Sequence, residues 1–484
     1  MIDDRLRGLK EFIKEKMQEW NIPGTAVGVI KGGEIIFSEG IGKRSIKEKL
    51  EVTTDTLFSI ASMTKPFTST AIAILVGEGK LEWDKPIKNY IPEVKLYDEF
   101  ATEHLTVRDI LSHRTGLPRH DYMWEGCPFT RDEIVDRIKY LKPSKEFRTT
   151  YQYQNLMFVL GGYLIERVTG KTWEEFVKKR IFDQLGMNRS NFSSNESLKC
   201  SNYAHPYVNR DGELKEIEFG NKDAVGPAGT INSTIEDILK WYMLQIKKGK
   251  WGNKQIVSEG NLKETHTPHT IIPGGPISFK EMPYSSYGLG WFVQPYRGNN
   301  SIYHTGSIYG FGSVGAFMPD EEIGVIVLSN SEQSYMFNIA IKNIIFDRLL
   351  GISEIDWLSR YREIDEKMKD EVRQQNSKIN GERIPGTSPS HRLEEYAGIY
   401  VHPGYGDISV GVKDNSLYVD FHMHHLELKH QHYDSFLWDM NKFSAATMVV
   451  SFGTNKEGKV DCISVPFETS VEDIIFKKTQ KNTL

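Results

Sequence analysis

The sequence predicts an α+β chain: an antiparallel sheet flanked by helices, followed by a small all-β barrel or sandwich domain. Three observations carry this prediction. First, Leu6, Leu9, Phe12, Ile13, Met17 and Trp20 recur at helical steps over residues 3–20, and Thr25–Lys31 and Glu34–Ser38, rich in Val, Ile and Phe, follow as a hairpin around Gly32-Gly33. Second, strand-like segments return at Tyr287–Gln294, Ser301–Thr305, Ser313–Met318 and Gly324–Ser329. The last three would complete a sheet with the early hairpin, and Tyr335–Leu350 reads as a helix covering it. Third, residues 391–484 alternate apolar and polar positions in short runs such as Ser416–Met423, Ser435–Met440, Thr447–Phe452 and Lys459–Val465.

After the hairpin comes the stretch around which the chain is organised, Phe58-Ser59-Ile60-Ala61-Ser62-Met63-Thr64-Lys65-Pro66-Phe67, with apolar Ile72, Ile74, Leu75 and Val76 behind it. Ser62 and Lys65 are three residues apart. On a helical turn they share a face, and an uncharged Lys65 amine can take the proton of the Ser62 hydroxyl. Pro66 lacks an N–H and is tolerated only near a helix start, which places Ser62 in or just before the first turn of a helix over 62–78. Free N–H groups and the dipole favour developing negative charge there. The four-residue pattern alone is weak, since ordinary composition supplies about one or two in a chain of this length.

Thr106–Ser112 reads as a short helix opening at a Thr cap, and it stops at His113-Arg114-Thr115-Gly116-Leu117. Residues 130–190 read as helical with loops between. Tyr153-Gln154-Asn155 directly precedes the apolar stripe Leu156, Val159, Leu160, Tyr163, Leu164 and Val168, so the tyrosine and asparagine stand at the mouth of a helix. A phenol whose pKa is lowered by a neighbouring ammonium can act as a general base, and a side-chain amide can hold a substrate carbonyl. The structural alternative is that Tyr151 and Tyr153 are packing aromatics and Asn155 a cap. Gly226–Lys240 reads as a glycine-rich turn into a helix capped by Ser233 or Thr234, a structural role first. Within the later strands, Tyr303-His304-Thr305-Gly306-Ser307 sets a glycine where another backbone or a ligand can approach and where a following N–H can serve as an oxyanion donor; the alternative is a glycine-rich turn with an incidental histidine.

Composition narrows the function classes. At 484 residues the chain exceeds what one core usually serves, so at least two domains are expected. A net charge of −5 on 60 basic and 65 acidic residues, with no polybasic block, argues against nucleic acid or an anionic membrane as partner. Residues 1–20 lack the apolar core of a signal peptide and no run of 18 or more apolar residues follows, so the expected location is cytoplasmic. Cys127, Cys200 and Cys462 are too scattered for a disulfide framework or zinc site and read as reduced thiols.

Taken in order, Ser62-x-x-Lys65, Tyr153-x-Asn155 and His304-Thr305-Gly306 resemble the serine β-lactamase and penicillin-binding-protein superfamily, especially its class C and D-aminopeptidase-like branch. The resemblance covers roughly residues 1–350 and implies a sheet flanked by helices plus an all-helical subdomain, with the site at their junction. It implies Ser62 as acylated nucleophile, Lys65 as proton acceptor or electrostatic partner, and Tyr153 as general base shared with Lys65. Asn155 would orient the substrate amide, His304, Thr305, Gly306 and Ser307 would line the substrate site, and the N–H groups of Ser62 and Ser307 would form the oxyanion hole. True β-lactamases usually carry lysine where His304 stands, and a histidine near its ordinary pKa is only partly charged at neutral pH, so potent β-lactamase activity is not expected. The expected function is a serine acyl hydrolase, independent of metal or cofactor, on a small-molecule or peptide amide bond. The alternatives are a carboxylesterase or weak β-lactamase on the same site, or a binding or sensing protein on a retired hydrolase scaffold.

Residues 351–390 read as a charged helix, with Trp357, Leu358, Tyr361, Ile364 and Met368 at helical spacing, and a Gly/Pro/Ser linker. Residues 391–484 resemble the lipocalin-like domain appended to some peptidase-like members of that superfamily, where it can shape the cleft or support homo-oligomers. Its histidines, His422, His424, His425, His430 and His432, admit a four-nitrogen metal site with His422 and His424 on one strand face and His430 and His432 on another. Without a carboxylate or cysteine at metal spacing they read instead as surface or barrel-lining imidazoles.

Overall fold

Gly32 and Gly33 both take positive φ, and the turn they make folds strand Gly24–Lys31 back on strand Glu34–Ser45. This hairpin belongs to an antiparallel sheet with, among the described residues, nine strands in the order Thr270–Ile272, Ser285–Tyr287, Phe292–Tyr296, Asn299–Ile308, Phe311–Met318, Ile323–Ser329, Gly24–Lys31, Glu34–Ser45 and Leu50–Glu51. The pairing of Gly24–Lys31 with Ile323–Ser329 joins the two ends of the sheet-forming sequence as expected. The computed structural model describes residues 3–210, 212–274, 279–439 and 447–479.

Strand side chains alternate between faces. Val27, Val29, Val314, Ala316, Val325 and Val327 point into a core shared with helices Leu9–Glu19 and Ser334–Leu350. Helix Ile235–Ile246 packs on the same strands from the other side, where Leu239 meets Gly28 and Tyr242 meets Gly315. Thr234 caps that helix by accepting from Asp237 N, with Glu236 and Asp237 both in its first turn. Helix Val107–Leu111 opens on a full capping box between Thr106 and Asp109.

Two elements differ from expectation. Tyr287–Gln294 is not one strand: it breaks at Gly288-Leu289-Gly290 into Ser285–Tyr287 and Phe292–Tyr296. Gly290 has φ +82°, and a Cβ there would overlap the Ser69 hydroxyl on the helix Lys65–Gly77, so the break lets the sheet approach that helix. Strand Thr270–Ile272, too short to show an alternation, adds an edge that the sequence did not announce.

The chain divides into two compact units, Met1–Glu93 with Glu103–Gly116 and Phe147–Ile364, and Val94–Thr102 with Leu117–Glu146 and Asp365–Leu484. In the second, eight antiparallel strands from Gly398–His402 to Ile474–Lys478 close a barrel among the described residues. Tyr400, Tyr405, Phe421, Trp438 and Phe476 are fully or almost fully buried in it. Strand Ser435–Asp439 ends before Met440, which lies outside the described residues. Residues 117–146 belong to this unit: His120 Nε2 donates to the Lys142 carbonyl and Nδ1 accepts from Tyr405 OH, while Tyr122 stacks on Phe467.

The shared strand face for His422 and His424 is corrected. His422 sits between strands at φ +52°, with Nδ1 3.0 Å from the Glu125 carbonyl and Nε2 3.1 Å from that of Tyr405. His425 pairs with Asp420 and His430 with the Tyr433 carbonyl. Among the described residues no three His, Cys, Asp or Glu side chains are grouped to hold a metal, and no helix is long and apolar enough to cross a membrane.

Candidate active site

Ser62 lies in a 3-10 turn, Ala61–Thr64, that runs directly into helix Lys65–Gly77. Pro66 takes an early helical position, where its missing N–H breaks no bond. Ala61, just before the serine, has φ +47°, an unfavourable conformation for a residue with a Cβ. Neighbouring bonds hold the turn in place: Ile60 N donates to Ile231 O at 3.0 Å, Met63 N to Ile60 O at 3.1 Å, and Ser313 Oγ to Ile60 O at 2.9 Å. A Cβ at Gly306 would overlap the Ile60 carbonyl and the Ser313 hydroxyl, so the close approach expected at this glycine is that of the serine turn itself.

Lys65 is fully buried. Its Nζ lies 3.1 Å from Ser62 Oγ, 2.8 Å from Asn155 Oδ1 and 2.9 Å from the Ala228 carbonyl oxygen. The two carbonyls can only accept, so each engages an N–H. The contact to Ser62 is then made either by a further N–H of an ammonium or by the lone pair of an amine. The same nitrogen can therefore give or take one proton at the serine oxygen without moving. The need for an acceptor also fixes the Asn155 amide, with oxygen toward Lys65 and NH2 as its donor end. The Tyr153 ring lies beneath Lys65 Nζ, 4.8 Å from nitrogen to centroid, and the Phe158 ring is 5.5 Å away.

His304 lies in the same group, its ring 6.3 Å from that of Tyr153. It is 1% exposed. Nδ1 lies 2.6 Å from the Thr305 carbonyl and must be the protonated nitrogen, so Nε2 accepts from Tyr287 OH at 3.0 Å. Burial, with the Lys65 charge adding to it, holds the imidazole down to about 3. The expected partial positive charge on His304 at neutral pH is thus corrected: the ring is neutral chiefly because it is out of water. Tyr287, pushed well above its ordinary value by burial, stays a phenol and keeps donating. Thr305 Oγ1 lies 3.3 Å from Tyr335 OH, and Ser307 is exposed beside Gly312 on the adjacent strand.

The fold thus brings Ser62, Lys65, Tyr153, Asn155 and His304 together from three distant segments. Three contributors carried no usable signal in the sequence. Ala228 acts through its backbone carbonyl, which no side chain advertises. In the sequence Tyr287 is an ordinary strand residue, and His113, whose ring centroid is 4.4 Å from that of Tyr153, only the end of a short helix.

Residues 9–347 match the family described as Beta-lactamase, and residues 382–478 a domain of unknown function, DUF3471. Unguisins hydrolase ungD' of Aspergillus campestris is 31% identical over 438 residues, spanning 85% of this chain and 79% of that protein. Protein flp of Staphylococcus aureus is 22% identical over 344 residues, 69% of this chain and 65% of that protein. The octameric penicillin-binding protein homologue from Pyrococcus abyssi shares the fold at a TM-score of 0.64 and 24% identity, covering 97% of this chain and 99% of that one. D-amino acid amidase from Ochrobactrum anthropi does so at 0.60 and 22%, covering 74% and 100%.

Proposed function

We propose that this chain, which belongs to the Beta-lactamase family, is a serine hydrolase that cleaves an amide bond through an acyl-enzyme on Ser62. The observation that carries the proposal is the setting of Lys65 Nζ, held by the Asn155 and Ala228 carbonyls with Ser62 Oγ 3.1 Å away. With Lys65 as amine, its lone pair takes the Ser62 proton as Oγ attacks the substrate carbonyl carbon. The tetrahedral oxyanion is received by the N–H groups of Ser62 and Ser307. Lys65 and Tyr153 return the proton to the leaving nitrogen as the carbon–nitrogen bond breaks. Water then repeats the sequence on the ester, releasing the acid and restoring the Ser62 hydroxyl. Asn155 Nδ2 is the donor suited to a substrate carbonyl.

The neutral His304 bears on the substrate class. With its Nε2 engaged by Tyr287 and no charge on the ring, it supplies no cation for a carboxylate, which favours acyl compounds uncharged next to the scissile bond over free-acid ones. Amide over ester is supported by the structural likeness named as a D-amino acid amidase. Hydrolysis of a panel of D- and L-amino acid amides, blocked peptides and esters tests the reading. It predicts turnover of an uncharged amide that vanishes in Ser62→Ala with the fold intact. Turnover of esters alone would replace amidase by esterase, and an inactive wild-type protein would return the scaffold to a binding role. Self-association is a further proposal, supported by the octameric description of the Pyrococcus abyssi likeness and tested by light scattering.

A further inference from the structure

The backbone on both sides of Tyr153 is held by one residue. Gln152 N donates to the His113 carbonyl at 2.8 Å, and Gln154 N donates to His113 Nδ1 at 3.4 Å. Between these two bonds the His113 ring packs against the Tyr153 ring, 4.4 Å between centroids at 42°. His113 is fully buried and has φ +55°. That left-handed turn directs carbonyl and ring toward the same three-residue segment, a conformation costly for histidine and kept where surrounding bonds enforce it. They do so here. Arg148 N donates to the Arg114 carbonyl at 2.7 Å, and the Arg114 and Arg148 side chains both bind Asp109, the buried acid of the Thr106 capping box. The His113 ring is boxed by Tyr151, Phe158 and Tyr287, with centroids at 5.7, 5.3 and 4.6 Å. An N–H donor at Nδ1 requires a lone pair there, so the ring is the neutral Nε2–H tautomer.

We propose that His113 is a positioning residue for Tyr153: its carbonyl, Nδ1 and ring face together set the phenol against Lys65. The proposal rests on the reading above in which Tyr153 shares proton transfer with Lys65. Fixing a phenol over a buried amine needs both its chain direction and its ring plane set. The backbone bonds at 152 and 154 supply the first and the tilted contact with the His113 ring the second. Tyr153 begins no regular element of its own, since the helix starts only at Leu156, so its position depends on such outside contacts.

The experiment is a double-mutant cycle on His113 and Tyr153, read as the second-order rate of Ser62 labelling by a fluorophosphonate and as kcat and KM on an activated ester, with melting temperature as a check on folding. His113→Phe keeps a ring and loses the acceptor, and His113→Asn keeps an acceptor oxygen where Nδ1 stood and tolerates positive φ. The expected result is a loss of about tenfold or more in labelling rate and kcat for His113→Phe, little change in KM, and recovery of part of that loss in His113→Asn, which restores the acceptor but not the ring. In the Tyr153→Phe background the His113→Phe loss should disappear, because the group it positions is gone. If His113→Phe costs as much in that background as in the wild type, or nothing in either, the positioning role is overturned while the Ser62 chemistry stands. If Tyr153→Phe alone labels at the wild-type rate, the role of Tyr153 fails and this inference falls with it.

Discussion

Tyr287 and His304 are joined by a 3.0 Å hydrogen bond in which the buried phenol donates to Nε2, leaving Nδ1–H to the Thr305 carbonyl. Both ring nitrogens are thereby committed and the imidazole is neutral. Its pKa, near 3 through burial and the Lys65 charge, lies below the working pH range, so the ring does not titrate there. The ratio of KM for a free-acid substrate to that for its amidated counterpart should therefore stay level between about pH 5 and 8. A ratio that rises through the ordinary histidine range would show a cationic His304 at work.

A buried amine on helix Ser334–Leu350 gives a stability prediction. Lys342 is 3% exposed among Tyr296, Tyr303 and Phe346, with Nζ 5.2–5.6 Å from their ring centroids. Burial pushes it down to about 7, partly opposed by Asp347. The unfolded lysine, with a pKa near 10.5, binds a proton more readily than the folded one. The resulting destabilisation is full below pH 7 and fades as pH rises to 10.5, on the order of 4 kcal/mol at its largest. Lys342→Met should raise the melting temperature at neutral pH by several degrees, with the gain shrinking toward pH 10. Equal melting curves for both proteins at pH 7 would mean the amine keeps its charge without cost.

Asp109 ties together the segments that carry His113 and Tyr153. Burial raises its pKa, but the bonds from Arg148 and Thr106 and the Arg114 charge outweigh this and leave it below the usual carboxylate value. The stabilisation is present above the unfolded pKa of about 4 and is lost as pH falls through the lower folded value. Asp109→Asn leaves two arginines facing a neutral amide and should cost about 3 kcal/mol by denaturant titration. It should lower kcat more than it changes KM. A variant as stable as wild type would show that the arginines find other partners.

Gly306→Ala should displace the serine turn, because the added methyl would overlap the Ile60 carbonyl. A stability loss of about 2 kcal/mol with a large loss of Ser62 labelling is expected. Unchanged labelling would mean that the strand yields instead of the turn.

What could be read from the sequence followed from local rules. Ser62 and Lys65 share one turn, Gly32-Gly33 makes a hairpin, Thr106 caps a helix, and Leu156–Thr169 follows Asn155 as its apolar stripe predicted. What escaped depends on contacts across the fold. The Ala228 carbonyl has no side-chain signature, the break at Gly288–Gly290 answers to a helix more than 200 positions earlier, and the charge of His304 is set by burial and by Lys65. His422 left its strand face because its ring is taken by two backbone carbonyls, one of them at Glu125, far away in sequence.

The central claim is that Lys65 activates Ser62 for covalent catalysis. Its most direct test is peptide mapping by mass spectrometry after a brief exposure to an activated ester or fluorophosphonate, comparing wild type, Ser62→Ala and Lys65→Met. One adduct on Ser62 in the wild type, none in Ser62→Ala and at least a hundredfold slower formation in Lys65→Met is the predicted result. An adduct elsewhere, or Ser62 labelled equally fast without Lys65, would contradict it.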